Sequence, residues 1–299
     1  MAEASRAGFL DPAVVARLGT LDLKARAIVE GFLTGLHRSP YKGFSVEFAE
    51  YRQYMPGDDL ATLDWKVYAR SDRHVIKKFE EETNLECHIL LDVSGSMGYA
   101  SQGLTKLAYA SMVAASLAYL MNRQRDAVGL LAFDEAIVSM LPTSARGGHL
   151  RALLVTLERL TVGKGTNVAK PLRDLAEAIS KRGLVVLISD LLDDPERVLA
   201  GLKHFRYRGT DVIVFHVLDP AELTFPFDRA ARFRDVETRD EVLAVPRSVR
   251  EHYLKAIGDL VAHYRRELGL AGIDYCLLDT SQPLETALMS YLTTRRRAM

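Results

Sequence analysis

The chain has 299 residues, of which 48% are hydrophobic and 26% charged, a composition typical of a globular protein with one large or two small domains. Its 39 Lys and Arg residues balance its 39 Asp and Glu residues, so no overall charge favours binding to nucleic acid or to an anionic membrane. The longest uncharged apolar run, residues 107–121, is shorter than the roughly 20 residues that span a bilayer, and no secretory signal opens the sequence. We therefore expect a cytoplasmic protein without a membrane span.

Apolar residues at helical spacing predict an N-terminal helical arm, residues 11–18 and 21–37. Beyond the arm, the pattern alternates between strands and helices. The predicted strands are 74–81, 86–92, 127–133, 136–141, 184–190, 211–218 and 273–279. The predicted helices are 104–122, 148–160, 168–181, 195–207, 248–268 and 283–291.

This alternation indicates an α/β fold. Continuous apolar strands such as 185–188 predict a doubly wound, mostly parallel sheet that is covered on both faces. The link Asp134–Glu135 is too short for a parallel crossover, so the strand after it should be an antiparallel edge strand. Prolines bracket an insertion at about 219–247, which predicts a small β-hairpin that either contacts a partner or covers a sheet edge.

Side-chain oxygens collect where two predicted strands end. Asp92, Ser94 and Ser96 occupy alternate positions as the chain leaves one strand, so their side chains can turn to the same side. Asp190 ends another strand and Thr166 precedes a helix, and functional loops of such a sheet gather at one edge. This all-oxygen set predicts a site for magnesium, although the first three residues alone could also form a metal-free hydrogen-bonded turn.

The same residues resemble a known constellation. Asp92-x-Ser94-x-Ser96, followed by Thr166 and Asp190, is similar to the metal-ion-dependent adhesion site of von Willebrand factor A domains. The resemblance implies that the two serines and the threonine coordinate Mg²⁺, with Mn²⁺ or Ca²⁺ as alternatives, directly or through water. It implies that the two aspartates orient this shell, and that a carboxylate from a protein partner completes the coordination.

A second resemblance lies upstream of the predicted metal loop. Residues 50–59, followed by Asp64, Trp65 and Lys66, are similar to the signature of the bacterial domain of unknown function 58 family, although Ala61 stands where that pattern has a basic residue. Members of the family have a von Willebrand A-like domain and are commonly linked with MoxR-type AAA+ ATPases. The resemblance implies that this chain is also a partner of such an ATPase.

Together, these features predict a domain organisation and a function. We expect the arm and the signature segment in residues 1–84, and a von Willebrand A-like domain in residues 85–299. We expect a non-enzymatic, metal-dependent interaction module, an adaptor in the assembly or maturation of other proteins. A magnesium-dependent hydrolase using the same site and a scaffold with a vestigial metal site stay open as alternatives.

Other enzyme classes have incomplete motifs. Ser94 stands where a haloacid-dehalogenase-type phosphotransferase has its second aspartate, and the segment around Ser96 lacks the first glycine of a hydrolase elbow. Glu158 replaces the first glycine of a phosphate-binding loop, and the scattered histidines form no zinc motif. The sequence therefore yields no catalytic residues.

Overall fold

A computed structural model describes residues 11–38, 51–53, 75–77, 85–163, 165, 169–179, 183–229, 231–234 and 241–298. These residues fall into two compact units, one within 1–33 and 85–299 and the other within 34–84. In the second unit, β1 (Tyr51–Gln53) pairs antiparallel with β2 (Val75–Lys77). The signature residues from 54 to 66 lie outside the described residues, and the predicted domain boundary at residue 84 stays a prediction.

The larger unit alternates strands and helices in the predicted order. Its strands are β3 (Glu86–Asp92), β4 (Ala127–Phe133), β5 (Ile137–Ser144), β6 (Leu184–Ser189), β7 (Asp211–Leu218), β8 (Ala231–Arg234), β9 (Glu241–Ala244) and β10 (Asp274–Asp279). Its helices are α1 (Pro12–Val15), α2 (Leu21–Arg38, which continues past residue 33), α3 (Lys106–Arg123), α4 (His149–Arg159), α5 (Ala169–Ala178), α6 (Pro195–Tyr207), α7 (Pro220–Thr224), α8 (Pro246–Leu270) and α9 (Glu285–Ala298).

The main sheet has six strands in the order β10-β7-β6-β3-β4-β5. All neighbouring pairs are parallel except β4 and β5, which are antiparallel and joined by the short link 134–136. Strand β3 therefore lies inside the sheet, between β6 and β4. The predicted fold class, a doubly wound and mostly parallel sheet with one antiparallel edge strand, is confirmed.

Apolar burial on both faces holds this sheet together. Every residue of β6 is buried, as expected of an interior parallel strand that helices cover on both sides. Along α3 most of the helix is buried rather than one stripe, which is the pattern of a helix inside the core. On the opposite face, α5, α6 and α8 contribute buried side chains to one apolar cluster, including Leu172, Leu175, Leu202, Phe205 and Tyr264.

Several predicted element ends shift. The N-terminal arm contains a helix of only four residues, Pro12–Val15, where the spacing predicts 11–18, because a turn and bend follow it up to residue 20. The second arm helix buries Ala25, Ile28 and Phe32, and its first backbone N–H, from Leu21, donates to the Glu158 carboxylate at 2.7 Å.

The predicted hairpin at 219–247 is confirmed, since β8 and β9 pair antiparallel. A short helix, Pro220–Thr224, which the sequence reasoning did not predict, precedes it. No described helix combines the length and the apolar character that crossing a bilayer requires.

Candidate metal centre

Asp92 ends strand β3 in the middle of the sheet, and its side chain is fully buried. Its Oδ1 accepts the backbone N–H of Ser94 at 2.8 Å, and its Oδ2 accepts the hydroxyl of Ser189 at 2.6 Å. Burial raises the pKa of the Asp92 carboxyl to about 7, and the charge of Asp190 adds to the rise, while the hydrogen bonds from both serines oppose it. The two hydrogen bonds therefore orient the Asp92 carboxyl firmly, and a nearby cation would stabilise its ionised form.

The loop after β3, residues 93–99, is the metal loop, and it brings two predicted hydroxyl ligands together. Residues Gly95–Gly98 form a 3₁₀ turn, and the Oγ atoms of Ser94 and Ser96 lie 3.1 Å apart. Ser94 is buried and Ser96 is half-buried. The loop is anchored by Val93, whose N–H donates to the Phe133 carbonyl of β4 at 2.8 Å. Two oxygens of the predicted site therefore converge next to a buried carboxylate.

Asp190 lies just past the end of the neighbouring strand β6, and its side chain is also fully buried. The chain turns sharply after it, since Leu191 has a φ of 53°. Asp190 Oδ1 accepts the N–H of Leu192 at 3.3 Å, and the N–H of Leu191 donates to Ser189 Oγ at 2.9 Å. Because Ser189 also donates to Asp92, the two strand ends are tied together by one hydroxyl.

The fifth predicted ligand, Thr166, lies outside the described residues. The chain leading to it runs against the metal loop, because the N–H of Gly163 donates to the carbonyl of Val93 at 2.6 Å. Gly163 and Gly165 pass so close to the Asp134–Glu135 link that a Cβ at either position would collide with a carboxylate of that link. The role of Thr166 as a ligand stays a prediction.

Lys106, the first residue of α3, was not among the predicted site residues. Its side chain is 0% exposed, and its Nζ donates to Asp190 Oδ2 at 2.8 Å and to Glu222 Oε1 at 2.6 Å. Burial alone lowers the pKa of this ammonium, but the charges of Asp190 and Glu222 outweigh burial and hold the pKa above its ordinary value. A cation at a helix N-terminus opposes the helix dipole, so the two carboxylates are what keep it there.

Glu222 belongs to a capping arrangement next to the candidate centre. It lies in α7, where Asp219 accepts the N–H of Ala221 at 2.8 Å and the second Glu222 oxygen accepts the Asp219 N–H at 2.7 Å. The other Asp219 oxygen accepts the N–H of Ser101 at 2.9 Å. The start of the 219–247 insertion is thereby linked to the segment that follows the metal loop.

The described donors are compatible with a hard cation. Ser94, Ser96, Asp92 and Asp190 offer only oxygen atoms, the donor type that Mg²⁺ prefers. Within the described residues, no group of three or more His, Cys, Asp or Glu side chains is arranged to hold a metal, so any ion here depends on the serine hydroxyls. Lys106 already neutralises part of the acidic charge, which lowers the affinity expected from two carboxylates alone. Metal binding stays a prediction.

The sheet order and the oxygen-rich loops at its carboxyl edge define a von Willebrand A-like α/β protein. The structure is similar to that of the conserved hypothetical protein BatB from Bacteroides thetaiotaomicron, with 16% identity and a TM-score of 0.50 over 71% of this chain and 99% of that one. It also matches the VWA domain of SpRpn10 at 12% identity and a TM-score of 0.38, over 68% of this chain and 93% of that one.

Sequence comparison then places the chain in a family. A protein of Mycobacterium tuberculosis described as uncharacterized is 25% identical over 291 residues, which cover 96% of this chain and 91% of that protein. The family model "Protein of unknown function DUF58" matches residues 50–260. The chain belongs to this family, which confirms the resemblance drawn from residues 50–59, Asp64, Trp65 and Lys66.

Proposed function

We propose that this chain is a non-enzymatic, metal-dependent protein-interaction module. It acts as an adaptor that works with a MoxR-type AAA+ ATPase in the assembly or maturation of other proteins. Membership of the DUF58 family supports the ATPase partnership, and the von Willebrand A-like fold supports an interaction role. The observation that supports metal dependence is the convergence of two buried carboxylates and two hydroxyls at the carboxyl edge of the sheet. The two hydroxyl oxygens, of Ser94 and Ser96, lie 3.1 Å apart.

In this proposal, Ser94, Ser96 and Thr166 hold Mg²⁺, and Mn²⁺ or Ca²⁺ can replace it. Asp92 and Asp190 orient the hydroxyls and the coordinating waters and balance the charge. Bound Mg²⁺ supplies an electrophilic centre at which a carboxylate of the protein partner can bind. The described hydroxyl ligands, Ser94 and Ser96, are neutral. They therefore leave more of the ion's positive charge to attract an incoming carboxylate than carboxylate ligands would.

The geometry supports ligation better than turnover. A hydrolase needs a base that is free to take a proton from water. Both oxygens of Asp92 already accept hydrogen bonds, and Asp190 accepts one from Lys106 and one from the backbone of Leu192. These aspartates are held by donors on several sides, which suits fixed orientation of a coordination shell.

Thermal unfolding with and without Mg²⁺ or Mn²⁺ tests the metal site. At an ion concentration of about 100 times the dissociation constant, the free energy of unfolding should rise by about 2.7 kcal/mol. Ser96→Ala should abolish this rise, because it removes a proposed ligand of the ion. The variant should still fold, since Ser96 is half-exposed and its only described side-chain hydrogen bond is to Ser94. Ser101→Ala, on the exposed part of the same segment, is the matched control and should respond as the wild type does. An equal response of Ser96→Ala and wild type, or no response in either up to millimolar ion, refutes the proposed site.

Binding to the MoxR-type ATPase of the same genome tests the partnership. Chelation is a poor control here because it also removes magnesium from the nucleotide of the ATPase. Ser96→Ala and Ser101→Ala should instead be compared at constant Mg²⁺ by sedimentation or biolayer interferometry. The proposal expects at least about tenfold weaker binding of Ser96→Ala, which corresponds to 1.4 kcal/mol, and unchanged binding of Ser101→Ala. Equal binding of the two variants contradicts metal-dependent docking on this ATPase.

A further inference from the structure

An aromatic pocket lies directly beside the candidate metal centre. It has a volume of about 380 Å³, which falls at the lower end of the range for ligand pockets. Most of its wall is contributed by aromatic and apolar side chains from the metal loop, the β6–α6 turn, the 219–247 insertion and α8: Tyr99, Leu192, Phe225, Phe227, Phe233 and Tyr253. A pocket of this size and lining accepts one large apolar side chain together with a short polar neighbour.

The rings form a rigid wall. Phe225 stacks on Phe233 with centroids 5.6 Å apart and lies 4.6 Å from the ring of Tyr253. Phe227 makes T-shaped contacts with both Phe225 and Phe233, with ring centroids 5.2 and 5.4 Å apart. Arg250 fixes the backbone of this segment by donating to the Phe225 and Phe227 carbonyls at 3.1 and 2.7 Å. The apolar surface is thus held in place before any ligand arrives, which reduces the entropy cost of binding.

Charge at the pocket favours an acidic group on the ligand. Ser96, one of the predicted metal ligands, forms part of the wall, so a ligand in the pocket lies next to the cation. Arg234 also lines the pocket, and among the described residues its guanidinium has no carboxylate partner. The Glu222 carboxylate also lines the pocket, but the buried ammonium of Lys106 offsets its charge.

We propose that the protein partner inserts an aromatic or large aliphatic side chain into this pocket, beside the Asp or Glu whose carboxylate binds the metal at Ser96. Recognition then requires an acidic residue close to a large apolar one, with Arg234 attracting the acidic group. This inference rests on the proposed function and adds to it the chemistry of the partner's docking segment. The apolar contact supplies affinity, and the carboxylate supplies metal dependence.

Small carboxylates test the inference without an identified partner. The probes are 3-phenylpropionate and 4-phenylbutyrate, which carry a ring and a carboxylate on a flexible link. Propionate lacks the ring, and phenethylamine has a ring with the opposite charge. Binding to the full chain is measured by ligand-observed NMR with and without Mg²⁺. We expect the two ring-bearing acids to bind with dissociation constants of the order of 1 mM in Mg²⁺, and the two controls to bind at least about tenfold more weakly.

Two pocket variants and one control locate the binding. Phe233→Ala removes a pocket ring and should weaken 4-phenylbutyrate at least about fivefold while leaving the magnesium-induced rise in unfolding temperature unchanged. Leu243→Ala is the matched control, since Leu243 lies on the other strand of the same hairpin and is 77% exposed. Tyr253→Leu, which keeps most of the apolar volume, provides a second pocket variant if Phe233→Ala does not fold.

The outcomes separate the inference from the proposed function. Binding that needs the ring and Phe233 but not Mg²⁺ supports the pocket and refutes metal-dependent docking. Binding that needs Mg²⁺ but is indifferent to the ring, or to both pocket variants, overturns the inference and leaves the proposed function intact. No binding of either ring-bearing acid by a chain that Mg²⁺ does stabilise also overturns the inference.

Discussion

Replacing Lys106 by Met tests the most unusual contact in the structure. The side chain of Lys106 is completely buried, and its ammonium is shared by Asp190, which is 0% exposed, and Glu222, which is 17% exposed. Methionine has a similar length and no charge, so the change leaves two carboxylates in the interior without their cation. Removing one partner of a buried ion pair costs about 3–5 kcal/mol, mostly because the remaining charge is uncompensated.

We expect the free energy of unfolding of Lys106→Met to fall by that amount in denaturant titrations at neutral pH. For a chain of 299 residues the loss corresponds to a decrease of about 5–8 °C in unfolding temperature. Lys203→Met is the matched control: Lys203 is 46% exposed and pairs with Glu267 at 3.3 Å, a surface contact worth at most about 1 kcal/mol. Adding Glu222→Gln to Lys106→Met should recover part of the loss, because one of the two uncompensated charges is removed.

Magnesium should stabilise Lys106→Met more than it stabilises the wild type, because Asp190 no longer shares its charge with an ammonium. A loss of stability in Lys106→Met no larger than that in Lys203→Met would contradict this prediction. A further loss of stability when Glu222→Gln is added to Lys106→Met would also contradict it, since the uncompensated carboxylates would then not be the source of the loss.

Three further predictions concern pH, a helix cap and core packing. Because the folded pKa of Asp92, about 7, lies above its ordinary 3.8, this group stabilises the metal-free fold at low pH and loses that contribution between about pH 4 and 7. An ion must displace this proton, so the magnesium-induced rise in unfolding temperature should be larger at about pH 8 than at about pH 6, and a rise independent of pH contradicts this. Asp194→Ala removes the N-cap of α6 and should cost about 0.5–2 kcal/mol in urea unfolding. Leu202→Ala leaves a cavity in the core and should cost about 2–5 kcal/mol, whereas Leu270→Ala, at a position 78% exposed, should change stability by less than about 0.5 kcal/mol.

Local sequence patterns predicted the sheet and the positions of the two aspartates at strand ends, because both depend on residues close together in the sequence. A strand such as 185–188 is apolar at every position because helices cover both of its faces, which indicates a parallel sheet. The carboxyl ends of parallel strands lie at one edge of the sheet, so Asp92 and Asp190, which follow such ends, lie at the same edge. Element ends were less accurate, since caps and turns decide them residue by residue. Helix α9 runs to Ala298 rather than to 291 for this reason.

Lys106 could not be predicted in the same way. Its partners Asp190 and Glu222 follow it by 84 and 116 residues, so no local spacing records the contact. A lysine at the start of a helix is normally exposed, and the apolar run at 107–121 begins only after it. The one available signal was that this helix is apolar on nearly all sides, which leaves its first turn buried as well. The aromatic pocket was missed because its rings come from distant segments without a common period.

The charges around the candidate centre explain why a partner should depend on the metal. Asp92, Asp190, Asp219 and Glu222 carry four formal negative charges, and Lys106 and Arg234 carry two positive ones, so the group has a net charge of −2 when all are ionised. A partner's carboxylate is repelled by this net charge. Bound Mg²⁺ brings it to zero and removes the repulsion. Neutralising Arg234 alone, by Arg234→Gln, returns the metal-bound group to −1, so it should weaken acidic ligands without weakening magnesium binding.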